Sequence, residues 1–181
     1  GLTATPKRAD GLTKILHWHL GDAVHEVERE QLQDDGHVLT PRIKVVDTGW
    51  TTAITEPHKR KRALAQHTER NAILCDEVLA LVREHRRVIV LVDLVKHAQA
   101  LEVALTVQGA EARALVGKMT PSQRGQVLQD VERGAVSVVV ATSLADEGLD
   151  LPSLDACVLA TPCGNVARVE QRIGRVLRPR E

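Results

Sequence analysis

Four short apolar runs in the second half of the chain limit its fold more than any other feature. They are Val88-Ile89-Val90-Leu91-Val92, the weaker Arg113-Ala114-Leu115-Val116, Val136 to Ala141, and Ala156 to Ala160. A continuous apolar run rich in valine has no side to turn to water. It reads as a strand covered on both faces, the habit of parallel sheets. Helical patterns separate the runs. Ile73, Leu74, Val78, Leu81 and Val82 share a face before the first run, and Ala98, Leu101 and Leu105 share one between the first and second. Between the second and third, Thr120-Pro121-Ser122-Gln123 supplies an N-cap, a proline at the first helical position and a capping-box glutamine. Val127, Leu128 and Val131 form the stripe of that helix, and Gly134 can end it. After the last run, Asn165 can cap a helix carrying Val166, Val169, Ile173 and Leu177. Strand–helix alternation at this pitch predicts βαβ units and an α/β fold built on an open parallel sheet flanked by helices.

The first half is less regular. Arg8 to Leu20 reads as a helix, Val24 to Val27 and Arg42 to Asp47 as strands, and Thr55 to Gln66 as a basic, helix-prone connector. Residues 1–70 are therefore expected to lead into a domain spanning 71–181. A length of 181 residues suffices for one ordinary domain with a real core. The lack of an initial Met and the stop after Arg180-Glu181 suggest an excised or processed piece.

Composition narrows the function. The 24 Lys+Arg balance 24 Asp+Glu, so no long-range attraction to nucleic acid follows, although a local basic groove stays open. Two Trp, with no Phe or Tyr, leave an aliphatic core and almost no platform for base stacking. Any grip on nucleic acid must then follow the phosphates. Cys75, Cys157 and Cys163 form no C-x-x-C and read as reduced thiols of a cytoplasmic protein. His17 and His19 flank Trp18 with no further ligand at zinc spacing, so no metal is assigned. No apolar run has membrane-spanning length, and the start is not a signal peptide, so no membrane partner is expected.

Ligands of an open α/β sheet bind beyond the carboxyl ends of its strands. Asp93, Gly117-Lys118, Thr142-Ser143 and Thr161 follow the four runs in turn. Taken singly, each also fits a plain structural role. The loop from Ala141 to Pro152 collects Asp146, Glu147 and Asp150 around Gly148. Gly148 permits positive φ or the close approach of a backbone. Asp150, between Leu149 and Leu151, is a candidate acceptor for a ribose hydroxyl, the alternative being a capped loop with solvated acids. In the closing helix Arg168, Gln171, Arg175 and Arg178 line the face opposite the apolar one. Such a stripe is either a solvated surface or a phosphate-binding ridge. Gly174 in its middle, at a cost of about 1 kcal/mol relative to Ala, favours close approach of a ligand. Arginine forks suit phosphate oxygens and phosphoryl-transfer charge.

These segments resemble the motifs of superfamily 2 DEAD/DEAH-type helicases. Gln171-Arg172-Ile173-Gly174-Arg175-Val176-Leu177-Arg178-Pro179 is similar to motif VI, and Ala141 to Pro152 to motif V. Val88 to Ala98 resembles motif IV, and Val116-Gly117 through Arg124 the neighbouring motif IVa. Gly1 to Leu12, with Thr3-Ala4-Thr5-Pro6 and Arg8-Ala9-Asp10-Gly11-Leu12, is similar to motif III as it occurs in the repair, phage and restriction branch. The resemblance covers nearly the whole chain and implies a RecA-like, P-loop NTPase-type C-terminal domain. It implies that Arg175 and Arg178 reach the γ-phosphate of ATP with Gln171 beside them, and that Gly148 and Asp150 contact the nucleotide. Thr142 would touch the nucleic-acid backbone, with Asp93, Lys118 and Arg124 assisting, and Thr3 and Thr5 would couple nucleotide state to domain movement.

One departure stands out: no G-x-x-x-x-G-K-[ST] phosphate loop and no D-E-x-[HD] occurs in the chain. ATP and Mg²⁺ are therefore expected in a full-length protein that adds a first RecA-like domain, and neither is expected to bind this piece alone. DNA is the expected partner, with RNA left open. The alternatives are a duplex-translocating subunit of a restriction system and a solitary RecA-like binding or interaction module.

Overall fold

The computed structural model describes residues 11–25, 27, 31, 42–142 and 154–162. The chain divides into two units, one of residues 43–162 and one of residues 1–42 with 163–181. In the second of these, helix α1 (Thr13–Leu20) closes at Gly21, whose N–H donates to the His17 carbonyl and whose φ is +79°. The helix expected from Arg8 is thus described from Thr13 onward. His17, considered above for metal, faces the Asp22 carboxylate at 3.0 Å.

The described residues of 43–162 include four parallel strands, with a helix in the first and in the second connection between them. The described elements are α2 (Pro57–Gln66), α3 (Thr68–Arg83), β1 (Val88–Val92), α4 (Val95–Val107), β2 (Ala112–Leu115), α5 (Pro121–Glu132), β3 (Val138–Thr142) and β4 (Ala156–Leu159). The strand order is β2-β3-β1-β4. Val88 to Val92 pair in register with Val138 to Thr142 on one side, and Val88 to Leu91 with Ala156 to Leu159 on the other. Right-handed crossovers running in opposite directions along the sheet put α4 and α5 on opposite faces.

Burial explains why these segments are strands. Every residue of β1 and β3 is buried. Alternation sends Val88, Val90, Val92, Val138 and Val140 into one cluster with Leu74, Cys75 and Val78 of α3 and Ala98, Leu101 and Leu105 of α4. Each valine and leucine among them contributes about 1.5–3 kcal/mol by leaving water. The α3 stripe is shifted slightly from expectation: Leu74, Cys75, Val78 and Leu79 are buried, while Ile73, Leu81 and Val82 are half-buried. The opposite face receives Val127 and Val131 of α5, both buried, with Leu128 half-buried. The boundary expected at 70/71 falls within the first turn of α3.

Among the described residues, neither of the two strands expected before residue 50 forms. Residues 24, 25 and 27 are exposed and in no ladder, and Val24 has no cover at all. Arg42 to Asp47 likewise forms no strand; Ile43 and Val45 are 72% and 91% exposed. Their β-branched residues supply propensity but not a partner strand, and among the described residues none pairs with them. Lys44 instead reaches across to the Glu77 carboxylate, and Asp47 accepts the Gly49 N–H at 2.8 Å. The connector from Thr55 does become the helix α2, led by Pro57. Among the described residues no helix is long and apolar enough to cross a membrane.

Candidate functional site

The parallel register brings the ends of β1, β3 and β4 to one rim of the sheet. Val92 is level with Thr142, and Leu91 with Leu159, so Asp93, Thr142 and Thr161 stand on neighbouring strand ends. Adjacent strands lie about 4.8 Å apart, which sets the spacing of these residues.

Thr142 is 3% exposed, and its hydroxyl has no hydrogen-bond partner among the described residues. A buried hydroxyl left unpaired costs about 1–3 kcal/mol, and valine fills the same volume. Core packing alone therefore does not account for a threonine at the end of β3. Asp93 is fixed twice. Its N–H donates to the Thr161 hydroxyl at 3.2 Å, and its carboxylate accepts from the Lys61 ammonium of α2. Thr161 is itself buried, so this bond ties the ends of β1 and β4 together inside the protein.

Beneath them lies a buried polar cluster. Arg70 at the start of α3 is 8% exposed and donates through Nη2 to the Ala160 carbonyl, while its Nη1 has no partner among the described residues. Burial lowers the guanidinium pKa from its ordinary value. His97, in the first turn of α4, is 2% exposed and lies 3.1 Å from Asn71 Oδ1. Burial, and then the positive charge of Arg70, push the His97 pKa down to about 4. His97 is thus neutral near pH 7, and no carboxylate is required to balance it.

The remaining described candidates lie toward β2. Lys118 is exposed just beyond that strand. Arg124 is half-buried in the first turn of α5, and its Nε has no partner among the described residues. Asp93, Thr142 and Lys118 therefore share the carboxyl end of the sheet, each just past or at the end of its strand. Thr3, Thr5, Gly148, Asp150, Gln171, Arg175 and Arg178 lie outside the described residues.

Arg70, Asn71, His97 and Lys61 were not singled out by sequence reasoning. A signal existed for two of them. Arg70 precedes Leu74 and Val78 by four and eight residues, and His97 precedes Leu101 and Leu105 in the same way. Both polar residues therefore fall on apolar stripes, where a charge or imidazole needs a reason. Lys61 had no such mark within its run of cations.

Residues 69–180 match the family described as the helicase conserved C-terminal domain. A Halobacterium salinarum protein, by name a Rad25 DNA 3'-5' helicase, is 28% identical over 189 residues, covering 99% of this chain and 30% of that one. Its Haloarcula marismortui namesake is 25% identical, covering 99% and 29%. A shorter match, 33% identical over 88 residues, covers 49% of this chain and 15% of PRP28 from Yarrowia lipolytica, by name a pre-mRNA-splicing ATP-dependent RNA helicase. The Hef helicase domain of Pyrococcus furiosus superposes with a TM-score of 0.52 at 27% identity, over 66% of this chain and 26% of that one. T4 UvsW shares the fold with a TM-score of 0.57 at 16% identity, over 67% and 25%. The chain spans less than a third of the length of the two Rad25 relatives.

Proposed function

Because this chain belongs to the helicase conserved C-terminal domain family and carries its RecA-like parallel sheet, we propose that it is the second RecA-like domain of an ATP-dependent superfamily 2 helicase or translocase acting on DNA. The reach of the family match carries this reading. Residues 69–180 contain Thr142, Gly148, Asp150, Gln171, Arg175 and Arg178, the residues whose chemistry suits a nucleotide and a phosphate backbone. The named DNA helicases align over nearly the whole chain, and PRP28 over about half of it, which favours DNA over RNA.

ATP is the substrate. The chain has no phosphate loop. The phosphates and Mg²⁺ are therefore assigned to a phosphate-loop domain elsewhere in the full-length protein. This chain's part is to meet the transition state. Arg175 and Arg178 place guanidinium charge against the transferred phosphoryl group, Gln171 lies beside them, and Asp150 and Gly148 hold the nucleoside. Thr142 is assigned to the backbone phosphate by its position at the end of β3 on the rim, and Thr3 and Thr5 transmit closure and reopening of the two lobes. Repeated closure with alternate grips then moves the protein along the strand.

Replacement of Arg175 tests the reading. In the full-length enzyme, Arg175→Ala is expected to lower kcat for ATP by about 10³-fold or more. DNA affinity measured without nucleotide should stay within a few-fold. Equal losses in both would overturn the assignment. A full-length enzyme stimulated by RNA and indifferent to DNA would replace the DNA reading with an RNA one.

A further inference from the structure

We propose that α2 is a phosphate-backbone clamp, docked on the rim of the sheet by the Lys61–Asp93 ion pair. The inference rests on the nucleic-acid reading above and extends it to an element outside the motif segments. Four consecutive cations, Lys59, Arg60, Lys61 and Arg62, fill this ten-residue helix, which contains no acid. The chain as a whole is neutral, so this is a concentrated patch rather than a reflection of composition. One side of α2 is anchored, since Leu64 is 4% exposed and the ammonium of Lys61 is held by Asp93. Lys59, Arg60 and Arg62 are exposed. Lys59 meets Glu56 in a solvent-facing pair, and neither arginine has an ion-pair partner among the described residues.

Position decides what the patch serves. Asp93 follows Val92, which is in register with Thr142 on the adjoining strand. Lys61 is therefore held one strand away from the buried, unpartnered hydroxyl of Thr142. Exposed Lys96, a residue into α4, and exposed Lys118, beyond β2, extend positive charge on both sides of that point. A polyanion laid across the strand ends passes from Lys118 over Thr142 to α2. With Trp18 and Trp50 the only aromatic side chains of the Phe/Trp/Tyr set, charge must supply this grip.

The role of Asp93 changes accordingly. A carboxylate next to phosphates repels them, so direct backbone contact by Asp93 is unfavourable. Asp93 acts instead as a positioning residue: it orients Lys61, and through it the helix, while its own charge is neutralised.

Binding to a labelled oligonucleotide, as single strand and as duplex, is measured across a salt series with the full-length protein. Each phosphate contact contributes about 0.9 to the log–log salt slope on duplex and about 0.7 on single strand. The exposed triple variant Lys59→Gln, Arg60→Gln, Arg62→Gln is expected to reduce the duplex slope by about 2–3 and to leave ATP turnover without nucleic acid unchanged. Asp93→Asn supplies the sharper arm. Simple electrostatics predicts tighter binding when an acid is removed from beside phosphates, whereas the clamp predicts weaker binding and a shallower slope. Lys61→Gln should resemble it. If the wild-type protein binds nucleic acid and the triple variant keeps its affinity and slope, the helix serves solvent or an acidic protein partner and the clamp is wrong. If Asp93→Asn binds more tightly, the docking role is wrong. If the wild-type protein binds no nucleic acid, the functional reading falls first and the clamp with it.

Discussion

At the scale of single residues, His97 shows how the buried cluster is wired. Asn71 donates through Nδ2 to the Ala65 carbonyl at 2.8 Å, which leaves Oδ1 as the acceptor facing His97. His97 Nε2 therefore carries the proton and donates it. The imidazole is neutral in the fold because burial and Arg70 hold its pKa at about 4, below the ordinary 6.5. In this window the unfolded chain binds a proton that the folded chain refuses, so stability rises with pH. The contribution is complete above about pH 6.5 and is lost progressively down to about pH 4, a change of the order of a few kcal/mol. His97→Gln keeps a donor for Asn71 and removes the titration. Denaturant unfolding at a series of pH values should show the slope between pH 4 and 6.5 reduced in that variant. An unchanged slope would mean that another group carries it. The sequence disclosed that Arg70 and His97 lie on apolar stripes, because helical periodicity is local. It did not disclose that Arg70 caps the Ala160 carbonyl 90 residues away. A long-range partner leaves no local pattern.

At the scale of elements, α5 was the most legible. Both arms of its capping box are formed: Thr120 Oγ1 accepts the Gln123 N–H at 3.3 Å, and Gln123 Oε1 accepts the Thr120 N–H at 2.9 Å. Pro121 occupies the first turn, and Gly134 follows the helix at a φ of +74°. Thr120→Ala removes one arm and should destabilise the domain by about 1 kcal/mol. Urea unfolding would register this as a lower midpoint at constant m. A neutral result would show that the turn after β2 already fixes the helix start. The strands β1 and β3 were equally plain, since burial on both faces demands an unbroken apolar run. Strand β2 is harder to see because Arg113 faces outward at the edge of the sheet. The two strands expected before residue 50 failed for the opposite reason. Their β-branched residues supply propensity, but a strand exists only through its neighbour, and propensity does not name one.

At the scale of the whole molecule, the proposed function divides the site between what the sheet positions and what the chain does not contain. The rim that gathers Asp93, Thr142 and Thr161 was legible from topology, because strand ends of a parallel sheet converge whatever their side chains. The ridge proposed to meet phosphate rests on spacing and on a resemblance alone, since Gln171, Arg175 and Arg178 lie outside the described residues. The division itself makes a prediction. An arginine that stabilises a transferred phosphoryl group does nothing until that group is held, and the cradle that holds it is absent from these 181 residues. The purified chain should therefore show no ATP turnover above background, with or without DNA. It should nevertheless retain weak, steeply salt-dependent binding to DNA through the rim and α2. Adding the phosphate-loop domain that the proposed function requires, as a separate polypeptide, should restore turnover, and Arg175→Ala should abolish the restoration. Turnover by the chain alone would mean that the phosphates are held by residues within it, and the assignment of Arg175 and Arg178 as visitors to another domain's site would have to be abandoned. Restoration that survives Arg175→Ala would leave the family membership standing and remove the arginine from the chemistry.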